Sequence, residues 1–175
     1  MHAGFRAALV GVCLIAAPVS VLAVDQSFTV SAEIVPGCVV AGSAATSGLA
    51  FGELAFGTLP ATAEGEATTS TQLGSIGGMQ IECTAGLDLT LSIDGGQHTV
   101  GGVRHLARMG GGSTIPYALY ADAGRSQPIP STGGLDVTVP PSGLLSLEVY
   151  AVATLPGAPA APGTYTDTLG VEIAW

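Results

Sequence analysis

Cysteine is the residue type here most able to make a bond of its own, and the chain has three: Cys13, Cys38 and Cys83. Cys38 and Cys83 stand 45 positions apart. In an exported protein such an even pair reads as a disulfide. Loop-closure entropy makes that link worth roughly 4 kcal/mol. The competing use, a metal site, needs further ligands at tetrahedral spacing. His98 and His105, the histidines beyond the first residues, do not stand at ligand spacing with the cysteines.

Catalytic patterns are not found. There is no G-x-S-x-G elbow and no H-E-x-x-H helix. "GSIGG" (Gly74–Gly78) and "MGGGST" (Met109–Thr114) are glycine-rich, but neither leads from a strand into a helix, so both read as loops. "RHLAR" (Arg104–Arg108) offers two arginines and His105, which would suit a small anion or a partner contact. A solvated hairpin edge is the preferred reading. Glu64 and Glu66 lie in a Thr/Ala/Gly-rich run that reads as a solubilising loop. No catalytic, cofactor-binding or metal-binding residue is assigned, and no enzyme activity is expected.

A different chemistry, backbone pairing, is written into "SFTVSAEIV" (Ser27–Val35). Phe28, Val30, Ala32 and Ile34 alternate without error with Ser27, Thr29, Ser31 and Glu33. That is the pattern of a strand with one buried face. Phe28 to Ile34 spans about 20 Å at roughly 3.3 Å per residue, and each large apolar side chain is worth roughly 1.5–3 kcal/mol when fully buried. Two sheets could receive it: the chain's own, with this as first strand, or another molecule's.

The elements around these residues are short strands. The first residues form a leader: His2 and Arg6 open it, an apolar run follows from Ala7 to Ala17, and "VSVLA" invites cleavage after Ala23. The run is too short to span a bilayer. Cys13 falls inside the leader, after Val12 and not after the small residue a lipoprotein signal would want. Removing 23 of 175 residues leaves 152, a size for one domain with a real core. The remainder carries three arginines against thirteen acids, a net charge of −10, and no lysine. Such a field repels nucleic acid and anionic lipid.

Beyond the leader, alternating or apolar runs recur between Gly, Pro, Ser and Asp. They include "MQIECT", "LDLTLSID", "TIPYALYAD", "LDVTVP", "LLSLEVYAVATL" and "GTYTDTLGVEIAW". Asp94-Gly95-Gly96 supplies a turn tolerant of positive φ. No segment sustains a 3.6-residue period, so the chain is all-β, an antiparallel sandwich or barrel. "LAFG" occurs at Leu49 and again at Leu54. The odd offset sends Phe51 and Phe56 to opposite faces of a straight strand unless the chain kinks near Gly52. Leu169, Val171, Ile173 and Trp175 alternate to the last residue, so the sequence ends inside a strand with a packed aromatic.

The blocks "VPGCVVAG", "LAFGTL", "IECTAG", "LSIDGGQ", "IPYALYADAGR", "VYAVATLPG" and "APGTYTDTLGVEIAW" occur in the order seen in spore coat protein U domains. The chain resembles that family, the subunits of archaic chaperone–usher (Csu-type) pili, from about Ser27 to Trp175. The resemblance implies an immunoglobulin-like sandwich that lacks its final strand. A periplasmic chaperone fills the resulting groove, and at the outer-membrane usher the N-terminal extension of the next pilin replaces it. It also implies residues 24–34 as donor extension, with Phe28, Val30, Ala32 and Ile34 as partner-binding residues. Residues 35–175 are then the pilin domain. The fibre would stand on the surface of a Gram-negative bacterium and serve adhesion and biofilm formation. The alternative is a self-contained exported module that binds a carbohydrate or coat component, with Ser27–Val35 as its own first strand.

Overall fold

The computed structural model describes residues 24–40, 47–48, 50–73, 81–157 and 160–175. The leader expected over 1–23, with Cys13, and the loop expected at Gly74–Gly78 lie outside the described residues. Two units separate between Ile34 and Val35. In the first, residues 24–34 are exposed throughout and take part in no strand.

The second unit carries twelve strands among the described residues. They are β1 (Cys38–Val40), β2 (Glu64–Leu73), β3 (Ile81–Cys83), β4 (Asp88–Ile93), β5 (Arg104–Arg108), β6 (Thr114–Tyr120), β7 (Pro128–Ile129), β8 (Leu135–Thr138), β9 (Leu144–Leu145), β10 (Leu147–Pro156), β11 (Tyr165–Thr166) and β12 (Val171–Ala174). All their pairings are antiparallel. The largest sheet runs β11-β5-β6-β10-β2, with β7 also on β6; the others run β12-β4-β8 and β1-β3-β9.

Period-two patterns explain the layers. On β4, Leu89, Leu91 and Ile93 are buried between exposed or half-buried neighbours. On β6, Ile115, Tyr117 and Leu119 do the same. Leu91 and Ile93 pack with Ile115, Tyr117 and Leu119 and with Val149, Ala151 and Ala153 of β10, closing one core between two sheets. This is the antiparallel, immunoglobulin-like sandwich that the resemblance implies. A smaller cluster of Ile81, Leu89, Val139 and Leu145 lies under the cysteines. Cys38 and Cys83 face each other across β1 and β3 and are joined as a disulfide.

Four local readings need correction or sharpening. Residues 64–73 are not a loop but the long strand β2: Ala67, Thr69, Thr71 and Leu73 turn inward while Glu64, Glu66, Thr68 and Ser70 face out. β-branched threonines suit that half-buried surface, a preference masked by low hydrophobicity. Arg104 is not a solvated hairpin edge; it is 4% exposed. Phe51, Leu54 and Phe56 all pack on the core, so both rings do turn inward, but from a stretch that belongs to no strand. Trp175 is 61% exposed and not packed like a core aromatic. Its indole Nε1 instead lies 3.4 Å from where a Cβ on Gly37 would stand.

Candidate functional site

Alternation on three strands builds a floor. Leu106 of β5, Ile115 and Tyr117 of β6, and Ala151, Ala153 and Leu155 of β10 face one side of the large sheet. Two successive inward alanines keep the floor low in the middle. Segments 52–63 and 160–169 stand along its sides, enclosing an open groove of ≈ 810 Å³. The site therefore cuts into the core of the second unit, with an aliphatic and aromatic floor and polar groups such as Asp167, Thr164 and Thr166 along its sides.

The 160–169 side continues into β12 as one alternating row. Tyr165, Asp167, Leu169, Val171 and Ile173 are half-buried, whereas Thr164, Thr166, Thr168, Gly170, Glu172 and Ala174 are exposed. Along this row the chain changes sheets, because Tyr165 and Thr166 pair with β5 but Val171–Ala174 pair with β4. On its other side β12 pairs with no strand among the described residues. An unpaired edge that continues the side of an open groove is a template for an added strand.

Asp167 is the polar exception in the row, with its side chain 2% exposed. Oδ2 accepts a hydrogen bond from the Tyr117 hydroxyl at 2.7 Å. Oδ1 accepts one from the Gln97 N–H at 3.0 Å and lies 3.0 Å from His98 Nδ1. Burial, and next the bond to Asp167, push the Tyr117 phenol well above its ordinary range. Gly96 makes the approach possible: its φ is +78°, and a Cβ there would collide with the Asp167 carboxylate.

Nearby, Arg104 bridges the layers. Nε donates to Asp94 O at 2.8 Å and Nη2 to Ile93 O at 2.5 Å, both at the end of β4. Nη1 reaches Ile129 O at 2.8 Å and Nη2 also reaches Pro130 O at 2.7 Å, on and beyond β7. Burial lowers its pKa, and the surrounding charges of Tyr117, Asp94 and Asp167 oppose that shift.

Sequence reading passed over Asp167, Tyr117 and Arg104 as site residues. Parity would have found them. Arg104 shares a face with Leu106, and Asp167 shares one with Tyr165 and Leu169. Of the four residues singled out in the first unit, Phe28, Val30 and Ile34 are 87%, 83% and 94% exposed, and Ala32 is exposed too. Among the described residues no group of three or more His, Cys, Asp or Glu side chains could hold a metal ion.

Comparison with known proteins decides the family. Residues 24–172 match the Spore Coat Protein U domain. The chain belongs to the spore coat protein U domain family. No curated protein matches it. Among solved structures, it is similar to the CsuC–CsuE chaperone–tip adhesion subunit pre-assembly complex from archaic chaperone-usher Csu pili of Acinetobacter baumannii. That match has 16% identity and a TM-score of 0.42, and covers 81% of this chain and 40% of that one. A chaperone–tip adhesin complex of CFA/I fimbriae matches at 13% identity and a TM-score of 0.42, covering 63% of this chain and 35% of that one. The P pilus rod subunit PapA matches at 17% identity and a TM-score of 0.47, covering 78% and 97%. This spore coat protein U chain thus spans less than half the length of the first two. Among its described residues no helix is long and apolar enough to cross a membrane.

Proposed function

We propose that this chain is a structural subunit of an archaic chaperone–usher pilus, polymerising head to tail through donated strands. The observation that carries the reading is the open groove. There the inner face of the main sheet floors an open groove, and the row along one side of it runs on into β12, whose outer edge pairs with no strand among the described residues. An exposed core and unpaired edge are prone to aggregation unless something fills them. An added strand supplies both ladder hydrogen bonds and side chains for the floor.

Residues 24–34 are the strand supplied, with Phe28, Val30, Ala32 and Ile34 turned into the neighbour's groove. Residues 1–23 are the leader and 35–175 the pilin domain. A periplasmic chaperone occupies the groove first, and the outer-membrane usher exchanges it for the next subunit. The fibre then stands at the cell surface in adhesion and biofilm formation. No step of this needs catalysis or a cofactor.

Deleting residues 25–34 and co-expressing the chaperone tests the reading. Loss of polymer with retention of the chaperone complex is the expected result; unaltered polymerisation contradicts it. A self-contained binding module would instead be a stable monomer when purified without any chaperone.

A further inference from the structure

A second cavity lies on the outer face of the small sheet and shares no lining residue with the groove. There β4 and β8 pair so that Asp88 stands opposite Thr138 and Thr90 opposite Asp136. Thr138 Oγ1 donates to Asp88 Oδ1 at 2.7 Å, and Thr90 Oγ1 donates to Asp136 Oδ1 at 3.1 Å. Acid and hydroxyl thus exchange strands from one row to the next. On the other side of β4, Ala174 of β12 lies opposite Thr90, and its short side chain leaves room. These residues and Trp175 border a space of ≈ 450 Å³, a volume typical of small-ligand sites.

Trp175 distinguishes this place from a merely polar sheet face. Cross-strand pairs of acid and hydroxyl on their own would stabilise the sheet and keep it wetted. Tryptophan is highly buried on average, whereas this one is 61% exposed. It is nonetheless seated, with its indole Nε1 3.4 Å from the Cβ position of Gly37. Gly37 is itself fixed: its N–H donates to Thr84 Oγ1 at 3.1 Å, and its carbonyl accepts from the Thr84 N–H at 3.0 Å. The Cys38–Cys83 disulfide adjoins both residues. A ring held against fixed backbone, and still largely open to water, has little ordering left to lose when a ligand stacks on it.

The lining selects the class of ligand. No Arg, Lys or His borders the space, so a phosphate or carboxylate would meet like charge and no partner. A lipid chain would press hydrocarbon on two carboxylates. Both Asp88 and Asp136 keep their Oδ2 for a further donor, since each bonded threonine takes Oδ1. The fitting molecule has an apolar face for the indole and hydroxyl donors around its edge. A pyranose ring has both, C–H bonds on its face and hydroxyls on its rim. We infer that this cavity binds a neutral saccharide, its ring stacked on Trp175 and its hydroxyls donating to Asp88 and Asp136. The site belongs to the second unit alone and needs nothing of the donor reading.

Trp175 is the chain's single tryptophan, so its fluorescence reports the site directly. Cellotetraose, mannotetraose and N-acetylchitotetraose are titrated into the mature protein. At least one should shift Trp175 emission to saturation, and the anion trigalacturonate should not. Asp88→Asn with Asp136→Asn keeps an acceptor for each threonine but removes the charge, and should weaken the response at least about tenfold. Calorimetry should detect no binding to Trp175→Ala and retained binding to Trp175→Tyr, with circular dichroism reporting that each variant is folded. Silence of Trp175 toward every neutral probe at tens of millimolar overturns the site. Binding that survives in Trp175→Ala overturns it too, as does trigalacturonate binding as tightly as the neutral probes. Tetramethylammonium competing on equal terms would make the place a cation site held by cation–π attraction, and would overturn the saccharide. The polymer ladder, read on the same samples, keeps failure here apart from failure of the pilin reading.

Discussion

Arg104 shows how one residue can tie two layers together. It carries a buried charge with four carbonyl oxygens as direct partners, two from the end of β4 and two from the β7 region. Only a guanidinium fork spans such a set; a lysine ammonium does not. Arg104→Met should lower unfolding free energy by at least about 3 kcal/mol, since it orphans buried carbonyls, and Arg104→Lys should recover only part. Urea denaturation followed by tryptophan fluorescence measures both. Tyr117→Phe should cost about 1–3 kcal/mol by removing a donor from Asp167.

The Tyr117 shift also fixes a pH dependence. Its folded pKa is raised, so its contribution is complete below the unfolded value of about 10 and is lost as pH rises through the folded value. Stability of the wild type should fall above about pH 10 more steeply than that of Tyr117→Phe. Asp122 behaves oppositely. Backbone N–H groups of Ser126 and Gln127 hold its carboxyl below the usual range, so its contribution is present above the unfolded pKa and disappears as pH falls through the folded one. Thermal melts of Asp122→Ala between about pH 2 and 5 should be flatter than the wild type's. The role of Asp122 was hidden in the sequence, because a turn's hydrogen bonds depend on where Ser126 and Gln127 come to lie. Arg104 and Asp167 were legible through parity alone.

At the scale of elements, strands with apolar alternation were readable and polar ones were not. "LDLTLSID" and "TIPYALYAD" announce β4 and β6 because water-avoiding residues mark every second position. "EGEATTSTQL" forms a longer strand than either with only Leu73 as a large inward residue. Its pairing with β10 across ten positions, and not its own hydrophobicity, makes it a strand. Tertiary context overrides composition there. The "LAFG" repeat was half legible: both rings face inward, but Gly52 does not kink a strand, because no strand is present. A Cβ at Gly52 would stand 3.4 Å from Thr71 Cγ2 on β2, an ordinary contact, so the space around it does not by itself require glycine. The disulfide was legible from Cys38 and Cys83 as an even pair in a chain read as exported. It staples β1 to β3, so Cys38→Ser with Cys83→Ser should cost up to roughly 4 kcal/mol, read as a lower urea midpoint in unreduced protein.

At the scale of the whole molecule, the second unit leaves part of its own core open, and the first unit carries an apolar row with no cover. The sequence showed the row but not the groove, since the floor residues Leu106, Ile115, Ala151 and Leu155 come from three separate strands. Only sheet order brings them together. If donated strands close these grooves, subunits are held by ladder hydrogen bonds and buried apolar area along a whole strand, a contact that detergent at room temperature does not undo. The direct measurement is the mature full-length protein, purified without a chaperone, on a denaturing gel with and without boiling. The account predicts a ladder at multiples of the subunit mass that collapses to one band on heating. A single monomer band in both lanes would contradict it.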